Sequence, residues 1–380
     1  MAIKQKNDLN NIIKPFFDLN FFFIIITIIL FGLLILTSAS IELSSQNYDG
    51  YAFHYLFYQL GFLLFSIFVC SFFLYLSSEN LKKNYKVFFY FFLFLLILGA
   101  ITGKTAGGST RWLSFYGYTI QPSEFFKLFY IVWLCAYLDR SKNNIRRIEF
   151  FIVPLLWFTV GAILLLLQPD FGSTAVLFFM TLLMLFIAKA KYIHLILSFI
   201  IASLASLLVF ALNPYMVSRL NFFEPCQNDG YQLCWSLMAI GSGSVFGKGL
   251  GASTSKLLFL PAPHNDFIFA ILAEELGIFG IIFIVLIFYL FFRKCFDIGD
   301  RAIRVGLPFQ GYLSYAIGIF ITMQAFLHIS VNLGLVPTKG LSLPFFSYGG
   351  SNYLASMLSI TIIFRIYRDV YKKSLNSSIR

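Results

Sequence analysis

Three acids fall within twelve residues of a strongly apolar stretch, PHNDFIFAILAEELG at 263–277: Asp266, Glu274 and Glu275. A carboxylate at a helix start on the membrane surface has an ordinary use as an N-cap, worth roughly 1 kcal/mol. It has a second use as a general base, because burial near hydrocarbon raises a carboxylate's affinity for protons toward a value suited to proton abstraction. If a helix begins at Asp266, Glu274 lies about 80° around it and roughly 12 Å deeper. Glu275 then points nearly opposite to Asp266. Intramembrane acids face a bundle interior or a wet cavity and have partners, so both glutamates fit a structural ion pair as well as they fit chemistry.

Four cations complement these acids. Arg111 sits in GGSTRW, Lys339 in VPTKG, and Arg219 and Lys256 bracket the segment 213–265. Cations in Gly- and Pro-rich loops beside a membrane suit a phosphate ligand, Arg as a planar fork and Lys as a point charge, although lipid headgroups attract them equally. Together the acids and cations offer a candidate base, Asp266, and candidate ligands to neutralise a phosphate group, Arg111 and Lys339, with Arg219 or Lys256 as weaker candidates. A divalent cation, Mg²⁺ or Mn²⁺, could share that neutralisation.

Other polar residues read as support. Glu124 and Lys127 are three apart in QPSEFFK and can pair on one helix face, and Asp170 in QPDFGST can cap a helix. Ser347, Gly349 and Gly350 in SYGGSN suit close backbone packing or a broken helix. His264 lies two residues from Asp266, too sparse a set for a metal site, and His54, His194 and His328 stand alone on apolar faces. No GxSxG, HExxH or Walker A pattern occurs, and no CxxC spacing suggests zinc. Cys226 and Cys234 share one loop, open to a local disulfide in an oxidising compartment and equally to two free thiols.

These groups must be positioned by a membrane bundle. Of the 380 residues, 59% are hydrophobic, 49 are Phe and only 12% are charged, far from a soluble domain. Apolar runs near 18–38, 54–76, 85–102, 121–138, 150–167, 171–188, 192–212, 266–292, 309–330 and 346–364 predict ten transmembrane helices, all-α, in a single domain 1–380. The first run reads as an uncleaved span, since no small-residue cleavage site follows it. With both termini cytoplasmic (short tails 1–17 and 366–380), the Lys and Arg residues divide three to one in favour of the inside. The net charge of +11 is therefore mostly an orientation signal, and nucleic acid is not needed to explain it. The Gly, Pro and paired-charge motifs gather outside, including a large external loop between helices 7 and 8. Within it, 231–251 reads as an amphipathic or re-entrant helix in the outer interface.

GGSTRW…QPSEFFKL, QPDFGSTAVLF, DGYQL…SLMAIGSGSVFGKGLG, LPAPHNDFIFAILAEELG and GLVPTKGLSLPFFSYGGSN, in that order over about 37–365, resemble the SEDS family (shape, elongation, division and sporulation). TSASI at 37–41 and PTKG at 337–340 are more similar to its division branch than to its elongation branch. The resemblance implies ten spans and polymerisation of lipid II, an undecaprenyl-pyrophosphate substrate, into peptidoglycan strands in the bacterial cytoplasmic membrane. It also implies septal cell-wall synthesis with a class B penicillin-binding protein (a transpeptidase) and other division membrane proteins. It puts the family's essential aspartate on Asp266, its arginine on Arg111 and its PTKG lysine on Lys339. The chain departs from the family at 262–265 (Ala, Pro, His, Asn), where the usual acid before the His is absent, at 242–244 (Ser-Gly-Ser) and at Ser351-Asn352. A lipid II flippase and a catalytically silent scaffold for the penicillin-binding partner are the alternatives.

Overall fold

The computed structural model describes residues 18–106, 109–115, 118–212, 231–257, 260, 262–336 and 340–378. Helices account for most of this chain. In order they are α1 (Leu19–Asn47), α2 (His54–Tyr75), α3 (Ser78–Lys83), α4 (Tyr85–Thr102), α5 (Pro122–Ser141), α6 (Ile148–Leu167), α7 (Phe171–Ile187), α8 (Tyr192–Leu212), α9 (Tyr231–Ser242), α10 (Ile268–Arg304), α11 (Pro308–Asn332) and α12 (Gly350–Ser378). Every predicted span contains one of them. Six described helices, α1, α2, α4, α6, α10 and α11, are long and apolar enough to cross a membrane.

The remaining predicted spans fall short of that pattern for identifiable reasons. α7 has 17 residues. α5 and α12 carry charges that are satisfied within the bundle: Lys127 Nζ lies 2.8 Å from Glu124 Oε1, with Lys127 fully buried, and Arg365 pairs with Asp369 at 3.0 Å. Such helices need not be apolar all round, because protein rather than lipid surrounds their polar groups. α5 and α11 are accordingly buried along most of their lengths, whereas α2 and α8 expose rows of Phe, Ile and Leu.

The termini follow the sequence. Asp18 caps α1 by accepting from Phe21 N at 3.1 Å and pairs with Lys294 at 2.9 Å. Asp170 caps α7 through Ser173 N at 3.2 Å, and Pro122 opens α5, where a missing N–H has no helical partner to lose. Pro154 inside α6 removes the bond that Phe150 O would accept, and the Tyr137 hydroxyl donates to that carbonyl at 2.9 Å instead.

Several expectations need correction. The fold is not purely α: a three-stranded antiparallel sheet joins β1 (Lys104–Ala106), β2 (Ser109–Phe115) and β3 (Tyr118–Ile120) between α4 and α5. Its register pairs Lys104 with Trp112 and Leu113 with Ile120. α10 and α12 run well past their apolar runs, and the tail 366–380 is helical to Ser378, because polar ends leave the hydrocarbon without breaking the helix. The 231–251 segment is a helix only to Ser242. It packs on the bundle, with Ser236 Oγ donating to Asn332 O at 2.9 Å. Cys234 is disulfide-bonded, Cys70, Cys135 and Cys295 are free, and Cys226 lies outside the described residues.

Candidate active site

The predicted helix start at Asp266 is displaced: α10 begins at Ile268, and Asp266 occupies the turn before it, half-buried. The N-cap position is Phe267, whose side chain makes no cap hydrogen bond. Neighbouring groups hold the turn through its backbone, leaving the carboxyl to other contacts. Asn332 Nδ2 donates to Asp266 O at 3.2 Å and to His328 O at 2.9 Å. Ser347 Oγ donates to Asn265 O at 2.7 Å, and Tyr348 N to His264 O at 3.0 Å. Gly340 comes so close that a Cβ there would lie 3.4 Å from Asp266 Oδ2. The end of the PTKG motif is thus beside the carboxylate. Lys339 and Arg219 lie outside the described residues.

Arg111 is organised from another direction. On β2, its Nε donates to Gln168 O at 2.8 Å, its Nη2 donates to Pro169 O, and Nη1 stands 3.9 Å from Asp170 Oδ1. Gln168 is anchored in turn by its Nε2 donating to Leu96 O at 3.1 Å. One contact chain links this cluster to Asp266. Gly172, in the first turn of α7, abuts Leu341, where a Cβ would meet Cδ2 at 2.6 Å, and Leu341 follows Gly340. His328 Nδ1 and Leu341 O are 2.6 Å apart, tying the same segment to α11. The QPD turn, the 340–348 segment and the Asp266 turn are therefore packed edge to edge.

The two glutamates answer the question their positions raise. Both are fully buried. Glu274 accepts from Lys248 Nζ at 2.6 Å, Ser253 Oγ at 2.5 Å, and Thr254 Oγ1 and N at 3.0 and 3.2 Å. Glu275 accepts from Ser38 Oγ at 2.6 Å and Lys256 Nζ at 2.9 Å. The pair is structural, and Lys256, buried against Glu275, is committed to that contact rather than to a pyrophosphate. α10 also breaks at Gly277, whose φ of 62° and ψ of -153° lie in a region that is essentially glycine-only. The carbonyls this break frees are taken by the loop after α9: Lys248 N and Gly249 N donate to Glu274 O and Glu275 O, each at 3.0 Å, while Ile278 N donates to Val245 O at 3.1 Å. Gly243, Gly247 and Gly277 allow that approach. A Cβ on any of them would fall 2.1 to 2.4 Å from backbone atoms across the contact.

The other supporting residues are architectural. Glu124 is paired, Asp170 caps α7, Ser347 braces the Asp266 turn, and a Cβ on Gly350 would collide with Phe62 at 2.4 Å. Gly349 at φ +156° turns the chain into α12. His264 packs against Tyr55 in a tilted contact and Tyr348 edge-on, with ring centroids 4.7 and 5.7 Å away, and burial lowers its pKa to about 4. It is neutral at physiological pH. Among the described residues no three His, Cys, Asp or Glu side chains cluster as metal ligands. Sequence reasoning missed Asn332, His328, Lys248 and Ser38. The i,i+4 spacing of His328 and Asn332 on one face of α11 was the available signal for the first two.

Against known proteins, the family described as "Cell cycle protein" (FtsW, RodA, SpoVE) matches residues 18–372. The chain is 39% identical over 361 residues to a "Probable peptidoglycan glycosyltransferase FtsW" of Thioalkalivibrio sulfidiphilus, covering 93% of this chain and 90% of that protein. It is 37% identical to the protein of the same name in Hydrogenovibrio crunogenus, covering 93% and 92%. Among solved structures, the rod shape determining protein RodA of Thermus thermophilus shares the fold at TM-score 0.70 and 24% identity, over 93% of this chain and 98% of that one. A chain of a peptidoglycan synthase complex coordinating polymerization and crosslinking reaches 0.78 at 23% identity, over 94% and 99%. With its motifs in order, its fold matched over nearly its whole length and its relatives sharing more than a third of their residues with it, the chain belongs to the FtsW/RodA/SpoVE family of SEDS membrane proteins.

Proposed function

We propose that the protein is an inverting peptidoglycan glycosyltransferase that polymerises lipid II at the outer face of the bacterial cytoplasmic membrane, for septal wall synthesis during division. The observation that carries this reading is the Asp266 turn: a carboxylate outside any regular helix, half-buried, with its backbone clamped by Asn332 and Gly340 packed against it. A base must hold its position, and bracing through the main chain achieves that.

In the proposed reaction Asp266 takes the proton of the acceptor hydroxyl as its oxygen attacks the donor anomeric carbon, and the diphosphate leaves with the bonding pair. Arg111 supplies positive charge near the leaving group. Its carbonyl contacts fix the guanidinium, and Asp170 at 3.9 Å offsets its charge only in part. Lys339 and Arg219 would complete the cationic set. Asp266 with diphosphate oxygens fits a divalent ion, Mg²⁺ or Mn²⁺, which takes one or two carboxylates plus phosphate and would supply further neutralisation. Ten crossings with both termini cytoplasmic, and assembly with a class B penicillin-binding protein, are supported by the helix positions, the Lys/Arg asymmetry and the likeness to a synthase-complex chain.

Purified lipid II in liposomes provides the test. Asp266→Asn should lower polymer yield by roughly 100-fold or more, with unchanged expression and melting temperature. Wild-type polymerisation by that variant would refute the assignment.

The broken helix α10 favours one other reading, a lipid II flippase, because discontinuous helices build transporter sites. The break is filled by the 243–249 loop, which argues for the enzyme. Headgroup translocation by the purified chain without polymer would reverse the choice. Rounded rather than filamentous cells on depletion would assign it to elongation.

A further inference from the structure

At the end of the bundle that the Lys/Arg asymmetry assigns to the cytoplasm, α10 and α12 enclose a cavity of about 200 Å³ that plays no part in the proposed chemistry. It is lined by Arg301, Arg304, Val305, Tyr367, Tyr371 and Ser374, with Val370 beneath. Arg301 and Arg304 are three apart on one helix face and both exposed, so their guanidinium groups reach the same mouth. Among the described residues neither is in an ion pair. Arg304 Nε donates only to Asp300 O, at 3.3 Å. Of the nearby acids, Asp18 pairs with Lys294, Asp369 with Arg365 and Ser78, and Asp300 accepts from the Tyr315 hydroxyl, while Asp297, one turn before Arg301, is in no ion pair among the described residues. Lys373 Nζ donates to Gly306 O at 3.0 Å, fastening α12 to the turn after α10 and giving the cavity a fixed wall.

The depth of the cavity is fixed by its neighbours. Ser78 N and Oγ donate to Asp369 Oδ2 at 3.2 and 2.5 Å, which sets Asp369 level with the inner end of α2. Tyr371 and Ser374 follow two and five residues later, roughly 3 to 7 Å further along the helix. The headgroup layer beyond the hydrocarbon core is about 5–7 Å thick on each side. The cavity therefore lies at headgroup depth, with buried Tyr367 and Val370 as an apolar floor toward the bilayer and two unpaired guanidinium groups toward water.

We propose that this cavity binds the phosphate of an acidic phospholipid of the cytoplasmic leaflet, held by the forks of Arg301 and Arg304 with the Tyr371 hydroxyl beside them. Arg pairs with phosphate bidentately, and basic pockets between helices on the cytoplasmic side suit anionic headgroups. A zwitterionic lipid carries the same phosphate with a compensating ammonium, so the two arginines discriminate against it. The site is about the length of α10 away from Asp266 and independent of the reaction there.

The full chain, purified in detergent, is exposed to phosphatidylglycerol or phosphatidylcholine, and retained lipid is counted by native mass spectrometry. Phosphatidylglycerol should be retained in preference, and R301Q/R304Q should weaken that retention by roughly 30-fold, about fivefold per cation removed near the surface. K189Q/K191Q, an equal charge change at exposed lysines on the same side, should leave it unchanged and serves as the folding and charge control. Inorganic phosphate at millimolar concentration should compete only weakly. The proposal is overturned if R301Q/R304Q retains phosphatidylglycerol as the wild type does, or if both double variants lose it equally. It is equally overturned if inorganic phosphate fills the site while the two lipids bind alike, the signature of a soluble anion. If R301Q/R304Q fails to fold, R301K/R304K takes its place: loss of the fork with retention of charge should still weaken binding severalfold, and unchanged retention overturns the proposal.

Discussion

Replacing Lys256 by Met separates two roles that a membrane-proximal lysine can have. Lys256 Nζ lies 2.9 Å from Glu275 Oε1, 3.2 Å from Ser38 Oγ and 2.8 Å from Gly251 O, and Glu275 is fully buried. Methionine keeps the length and apolar stem of the side chain, so the change is almost purely the loss of charge. Glu275 is then left enclosed without its cation, with Ser38 as its remaining donor among the described residues. Breaking a buried pair from one side costs about 3–5 kcal/mol. With an unfolding entropy of roughly 2.1 cal/mol/K per residue, a chain of 380 residues loses about 4–6 °C of melting temperature for that amount. Lys256→Met with Glu275→Gln removes the stranded charge and should recover most of the loss, since replacing both members of a buried pair is often close to neutral. The double-mutant cycle is read from thermal unfolding in one detergent, with lipid II polymerisation measured in parallel. A pyrophosphate-binding lysine gives the opposite pattern: little change in melting temperature, a raised KM, and no rescue by Glu275→Gln. That result, or a Lys256→Met loss below about 1 kcal/mol, refutes the structural assignment.

Three further outcomes follow from the same geometry. Gly277→Ala introduces a Cβ 2.4 Å from Gly247 N at a φ of 62°. It should destabilise by at least the roughly 1–3 kcal/mol of backbone strain, with faster proteolysis of the 243–256 loop; an unchanged melting temperature would mean the break is not held by that loop. Asn332→Ala removes the donor to Asp266 O and should lower the polymerisation kcat by roughly 10–100-fold at nearly constant KM, as expected for a misplaced base; a rise in KM alone would contradict a positioning role. His264 is held neutral by burial, with a pKa near 4 against 6.5 unfolded, so its contribution is complete above pH 6.5 and is lost as pH falls toward 4. At pH 5 that amounts to at most about 2 kcal/mol, and His264→Phe should flatten the fall of melting temperature between about pH 7.5 and pH 5.

The helical membrane character was legible because it depends on length and apolarity summed over many residues, and six described helices are long and apolar enough to cross. All ten apolar runs contain helix, and the positions of charges inside α5 and α12 made sense once neighbours were visible. The sheet 104–120 was not legible. Its strands are three, seven and three residues long, and the Gly residues that mark it as a loop give no pairing register. The fate of Glu274 and Glu275 was only half legible. Helical spacing put them inside the bundle, but their partners Lys248, Lys256 and Ser38 are 19 to 237 residues away in sequence. No local pattern reports pairings at that range.

The same distinction explains why Asp266 and the glutamates, so alike in the sequence, end in different surroundings. Glu274 and Glu275 sit one turn before the Gly277 break, where two carbonyls would otherwise be orphaned in a low-dielectric interior. The 243–256 loop satisfies those carbonyls with its N–H groups and the carboxylates with its lysines and hydroxyls, so each interaction requires the other to hold the loop in place. A catalytic acid held in that way would be neutralised before substrate arrived. Asp266 instead precedes the first turn of α10, and its turn is fixed by Asn332, Ser347 and Tyr348 acting on main-chain groups of 264–266. The chain therefore fixes the Asp266 turn through its backbone and Glu274 and Glu275 through their charges, and the proposed role of Asp266 as a base rests on the first arrangement.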